Sequence, residues 1–162
     1  MKTKKIVLFI IYFIKCGFSF AQKKEINYTE ERHKFNKKLI VNQCYNMVKK
    51  QITNNDEFKG SFLGLVKTKT GKTYFIVKSS YIFNLNKSAT AESQIFVYNY
   101  KNEFVGYYYL SNINQLPWKL FHNKLYFNNK DCREKIIVDF TTCIPNAINL
   151  KCNGVDDFIE LK

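Results

Sequence analysis

The chain has 162 residues, with 26 Lys and Arg against 13 Asp and Glu, for a formal charge of +13. Arginine, the side chain best suited to bidentate phosphate and base contacts, occurs only as Arg32 and Arg133. Specific nucleic-acid binding is therefore disfavoured, and the charge reads as a lysine-rich solvated surface.

The first segment, "MKTKKIVLFIIYFIKCGFSFAQ", carries Lys2, Lys4 and Lys5 ahead of an apolar run from Ile6 to Ile14. Ser19 and Ala21 flank Phe20 in a small-x-small cleavage pattern. The run is too short for a spanning helix, which needs roughly 20 apolar residues, and Lys15 ends it. Residues 1–21 therefore read as a secretory signal peptide, with Gln22 as the new N-terminus. Cys16 is not read as a lipidation site, because Lys15 stands where lipoprotein signals carry a small residue. Cleavage removes Lys2, Lys4, Lys5 and Lys15, so 13 less these four leaves +9 on the mature chain. Residues 22–162 read as a single α+β domain with no transmembrane anchor. Pro117 and Pro145 are the only prolines, and no Pro-, Gly- or Ser-rich linker divides the chain.

Next comes a helical pattern. Asn27 suits an N-cap with Glu30 in the first turn. Phe35, Leu39, Val41, Cys44, Val48 and Ile52 recur at helical spacing, predicting one long amphipathic helix of about seven turns that stops at Thr53–Asp56. Beyond Phe58 the period becomes two. "SFLGLVKTKTGKTYFIVKS" predicts a hairpin turning at Thr70-Gly71, and "YIFNLN" a further strand. Lys87–Ser93 reads as a loop, "QIFVYNYKNEFVGYYYL" as a hairpin turning at Lys101-Asn102, and "LPWKLFHNKLYFNN" as two short strands about His122-Asn123. The last stretch predicts three strands turning near Pro145-Asn146 and Asn153-Gly154. The expected architecture is the N-terminal helix packed on a mostly antiparallel β-meander.

With that turn, Phe96 opposes Tyr107 and Tyr98 opposes Val105. One face gathers Phe96, Tyr98, Tyr100, Val105, Tyr107 and Tyr109, and the other Ile95, Val97, Phe104, Gly106, Tyr108 and Leu110. The aliphatic face points to the core. The tyrosine face reads first as cover for a helix, through aromatic cross-strand pairs, and second as a ligand platform using Tyr98, Tyr100, Tyr107 and Tyr109.

Cys44, Cys132, Cys143 and Cys152 remain after cleavage, an even number that favours disulfides in an exported chain. If Ile144 opposes Ala147, Cys143 and Cys152 share a face but stand roughly 13 Å apart at ~3.3 Å per residue, too far to bond. The least unfavourable full pairing is Cys44–Cys143 with Cys132–Cys152. His33 and His122 are the only histidines and no C-x-x-C spacing occurs, so neither a metal site nor a cofactor is expected. His33 falls in the charged start of the helix and reads as solvated; His122 reads as a turn residue. No nucleotide-binding or nucleophile-elbow motif is present, and the adjacent acids Glu30-Glu31 and Asp156-Asp157 diverge rather than pair.

The resulting expectation is an exported, periplasmic or extracellular, non-catalytic module that binds a protein, peptide or glycan. Two alternatives stand beside it. One is a small hydrolase of cell-wall or extracellular polymer, with His122, Asp139 or a cysteine brought together by folding. The other is a structural envelope-associated protein.

Overall fold

The structure is a computed structural model that describes residues 27–128, 132 and 135–162. The expected signal segment, with Cys16, lies outside the described residues. The chain divides into two compact units, 1–31 and 32–162, a boundary that falls inside the helix α1 (Tyr28–Val41). In the first unit, Asn27 caps the helix as its sequence suggests. Its side-chain oxygen accepts from the Glu30 amide at 3.1 Å, and its carbonyl accepts from the Glu31 amide at 3.0 Å.

The second unit opens with the rest of α1, and here the expected length is corrected: the helix has 14 residues, not seven turns. It ends in a Schellman motif. Gln43 takes the left-handed conformation with φ 47°; its amide donates to the Ile40 carbonyl at 3.1 Å, and that of Cys44 to the Leu39 carbonyl at 2.9 Å. Those two bonds satisfy carbonyls that the helix end would otherwise orphan. Val48, expected on the helix, instead opens strand β1 (Val48–Gln51). Cys44, Val48 and Ile52 misled because a spacing of four fits one face of a strand as well as one face of a helix.

A five-stranded antiparallel sheet comes next, in the order β1, β2 (Glu57–Lys67), β3 (Thr73–Phe83), β4 (Thr90–Asn99) and β5 (Phe104–Leu110). The turn at Thr70-Gly71 is as expected, but "YIF" is the end of β3 rather than a separate strand. Lys87–Ser93 is not all loop: Thr90 pairs with Phe83, and β4 runs on from there. Small polar residues are accommodated inside this sheet because the Ser80 and Ser93 hydroxyls bond one another at 2.9 Å while both side chains are buried.

One face of the sheet receives the helix. Arg32, Phe35, Asn36, Leu39 and Ile40 are its buried positions, a stripe at i, i+3, i+4, i+7 and i+8. Gly60 permits the close approach: a Cβ there would lie 2.9 Å from Phe35 Cε1 and 3.0 Å from Leu39 Cδ1. Phe35 stacks on Phe58 with ring centroids 5.8 Å apart. The opposite face supplies Val66, Ile76, Ile95, Val97, Tyr108 and Leu110 to the main core. That core is closed by two further antiparallel sheets. One orders β6 (Pro117–Phe121), β7 (Lys124–Phe127) and β8 (Ile136–Asp139), and contributes Leu125, Phe127 and Ile136. The other pairs β9 (Ala147–Asn149) with β10 (Phe158–Glu160) and contributes Ile148 and Ile159. β8 was expected to pair with the strand holding Ala147, but it pairs with β7, while β9 pairs with β10. The link between β8 and β9 is anchored elsewhere, at the Thr141 carbonyl by the Lys69 amide (2.8 Å) and at the Pro145 carbonyl by the Tyr108 hydroxyl (2.5 Å). The turn at Asn153-Gly154 is present, with φ 51° and 84°.

Candidate functional site

The tyrosine hairpin holds one register and loses another. Phe96 pairs with Tyr107 as expected, but Tyr98 pairs with Phe104 rather than Val105. The turn is longer than two residues: Asn102 at φ 61° donates to the Asn99 carbonyl at 2.9 Å. This three-residue connection, with a left-handed third residue, leaves one extra residue in β5. Val105 is that residue, and Phe104 moves to the face with Phe96 and Tyr107.

The four tyrosines on that face have different surroundings. Tyr98 is 0% exposed, leaving no ring surface for a ligand. Its hydroxyl lies 2.8 Å from His33 Nδ1 and accepts from Asn36 Nδ2 at 3.2 Å. Burial pushes its pKa up to about 12. Tyr107 is half-buried beside Phe96 and Phe104; Tyr109 is exposed, and Tyr100 lies at the hairpin tip with Lys101 Nζ 5.7 Å from its ring centroid. His33, expected in solvent, stands edge-on to Phe104 with centroids 4.6 Å apart. Burial chiefly, then Lys37 and Arg32, lowers its pKa. Arg32 is also buried. Its Nε donates to Ser79 Oγ at 2.9 Å and its Nη2 to the Glu92 carbonyl at 3.1 Å, while the guanidinium carbon lies 5.0 Å from the Phe96 centroid. Burial lowers its pKa to about 10.

A second exposed aromatic surface lies on the outer face of β6–β7–β8. Pro117 has no amide hydrogen and starts an edge strand, where that loss is tolerated. The register breaks between Pro117 and Lys119, so Trp118 projects as an extra residue and is 54% exposed. Beyond the break, Lys119 pairs with Tyr126 and Tyr126 with Ile137, while Phe121 pairs with Lys124 and Lys124 with Asp139. Strand alternation puts these six side chains on one face, opposite the buried Leu125, Phe127 and Ile136. Phe121 and Ile137 are 52% and 48% exposed.

A lysine organises the rings. Lys119 Nζ lies 4.3 Å from the Trp118 centroid, 4.7 Å from that of Tyr126 and 5.5 Å from that of Phe121, all within cation–π range. The turn behind them is fixed. His122 and Asn123 take φ 47° and 60°, as a two-residue type I′ hairpin requires. Asn123 accepts from the Lys67 amide at 3.1 Å and donates to the Lys67 carbonyl at 2.9 Å, tying the hairpin to the end of β2. A groove of about 520 Å³ opens along Trp118, Lys119, Tyr126, Asn128, Lys135 and Ile137. A smaller groove of about 360 Å³, near Cys152, is lined by Asp156 and Asp157 and has no exposed ring.

The other candidates are dispersed. His122 stacks on Phe121 with centroids 3.9 Å apart, and among the described residues no acid or thiol lies within hydrogen-bond reach of it. Asp139 accepts from the Thr141 amide at 2.7 Å and lies 3.6 Å from Lys124 Nζ; hydrogen bonding by Thr141 holds its pKa below the usual carboxylate range. Cys132 and Cys152 lie at disulfide distance, with Cα atoms 4.9 Å apart. The other expected pair is corrected: Cys44 and Cys143 are free. The five-stranded sheet separates them, because Cys44 follows the helix and its carbonyl accepts from Phe62, whereas Cys143 lies near Tyr108, on the face away from the helix. No group of His, Cys, Asp and Glu suited to a metal occurs among the described residues, nor is any helix among them long and apolar enough to cross a membrane.

Trp118, Lys119, Phe121 and Tyr126 were not singled out from the sequence. Alternation about His122-Asn123 places Lys119, Phe121, Lys124 and Tyr126 on a common face, so that part had a signal; the break that exposes Trp118 had none beyond Pro117. Comparison with protein-family models, curated proteins and solved structures finds no match.

Proposed function

We propose that this chain is an exported, non-catalytic binding module whose contact surface is the outer face of β6–β7–β8. The observation that carries the reading is the exposure of Trp118 and Phe121 around a ring-held Lys119. Tyr45, Tyr100 and Phe158 are more exposed singly, but here Trp118, Phe121 and Tyr126 gather about one ammonium, and such a cluster marks a surface that is covered by something else in use. The disulfide-distance pair Cys132–Cys152 supports export, since such bonds persist in oxidising compartments. The ligand expected from the sequence, a protein, peptide or glycan, meets this face rather than the tyrosine hairpin.

The test is a pull-down from the exported fraction under non-reducing conditions, with the mature chain as bait. Trp118→Ala and Phe121→Ala should each abolish capture of a partner that wild type retains, with the unfolding transition unchanged. Tyr109→Ala should leave capture intact. Loss on Tyr109→Ala but not on Trp118→Ala would move the surface to the helix side and overturn the reading.

A further inference from the structure

We infer that the occupant of this face is an acidic polysaccharide chain, a claim that rests on the binding reading above and narrows it to one ligand chemistry. Three features of the face select it. The first is size: a groove of about 520 Å³ falls within the ~300–1,000 Å³ of small-ligand sites. It suits a few units of a thin chain.

The second is charge. Lys119, Lys124 and Lys135 stand on or beside the groove. Among the described residues the outer strand face has one carboxylate, Asp139, and it is engaged by Lys124. An apolar peptide laid over the rings would strip water from the Lys119 ammonium without replacing it, which is unfavourable. A ligand with its own carboxylates supplies the missing counter-charge at that point.

The third is the shape of the contact. Trp118 and Tyr126 lie with centroids 6.5 Å apart and planes at 66°, and the lysine stands near both. Sugar rings present C–H faces that pack on aromatic rings, and a ring-borne carboxylate beside such a face falls within reach of the ammonium. Single-stranded nucleic acid also combines stacking with negative charge. It is disfavoured because the chain has only two arginines, Arg32 and Arg133, the side chain best suited to bidentate phosphate contacts, and Arg32 is buried.

The experiment is affinity electrophoresis of the mature chain through gels containing polygalacturonate, its fully methyl-esterified form, or no polymer, with an oligothymidylate run in parallel. Polygalacturonate should retard the chain, and esterification, which removes charge but keeps the backbone, should weaken retention at least about tenfold. Trp118→Ala, which keeps every lysine, should weaken it by a similar factor, and so should Lys119→Gln. Equal retention by the esterified polymer, tighter retention by the oligonucleotide, or none by either polysaccharide overturns the acidic-glycan assignment while leaving the binding face intact. Polygalacturonate retention that Trp118→Ala does not alter is diffuse lysine attraction, and overturns the face itself.

Discussion

Tyr98→Phe isolates the polar chain beneath the helix. The substitution removes one oxygen and leaves the ring, so packing is nearly conserved. Tyr98 is wholly buried, and its hydroxyl serves both His33 Nδ1 at 2.8 Å and Asn36 Nδ2 at 3.2 Å. Asn36 is itself 0% exposed, and its Oδ1 has no partner among the described residues. Without the hydroxyl, the amide loses its remaining side-chain bond inside an apolar layer. Losing the His33 bond costs about 1 kcal/mol and stranding the buried Asn36 amide about 1–3 kcal/mol, so a loss of about 2–4 kcal/mol is expected. In urea titration, with a slope of about 2 kcal/mol/M, the midpoint should fall by roughly 1–2 M. Asn36→Leu removes the stranded amide; in that background Tyr98→Phe should cost much less, giving a coupling within the ~0.5–3 kcal/mol range of contacting residues. A Tyr98→Phe effect below about 0.5 kcal/mol, or strict additivity with Asn36→Leu, would show that these groups are not a buried network.

Three further outcomes rest on the same geometry. His33 has a folded pKa below its ordinary ~6.5, chiefly through burial, so its neutral form is favoured by folding. That stability is present above about pH 6.5 and is lost as pH falls through the folded pKa; His33→Gln should flatten the acid limb of a pH–stability curve, and an unchanged limb would contradict the assignment. Gly60→Ala places a methyl 2.9 Å from Phe35 Cε1 and 3.0 Å from the Lys78 carbonyl, and should cost about 1–3 kcal/mol of overpacking in chemical denaturation; a neutral result would mean the helix does not seat there. The Cys132–Cys152 pair spans 20 residues, for which loop closure contributes about 3 kcal/mol. Reduction should lower Tm by about 10 °C, and a Tm insensitive to reductant would show that the bond is not formed or does not constrain the unfolded chain.

Local chemistry and strand alternation were readable in the sequence; register and element ends were less so. Asn27 announced its cap, and the turns at His122-Asn123, Asn153-Gly154 and Thr70-Gly71 announced themselves through Asn123, Asn153, Gly154 and Gly71, because Asn and Gly suit caps and left-handed positions. The helix end did not show itself, since a glutamine rather than a glycine holds the left-handed position, and Val48 and Ile52 kept a spacing common to helix and strand. Pairing Phe96 with Tyr107 came from alternation alone. Placing Phe104 did not, because one bulged residue, Val105, reverses the face on which its neighbour lies. The same kind of register break put Trp118 in solvent. Half of the cysteine pairing was also accessible; what ruled out Cys44–Cys143 is the sheet between them, a long-range fact that spacing does not carry.

Trp118 is the only tryptophan in the chain, so its emission reports on the proposed contact surface with no labelling. The most direct test is iodide quenching of that emission before and after saturation with polygalacturonate or with a partner recovered from the exported fraction. Quenching should be efficient in the free protein and strongly reduced once the ligand is bound. A saturating ligand that leaves Trp118 as open to iodide as before would place binding elsewhere on the molecule.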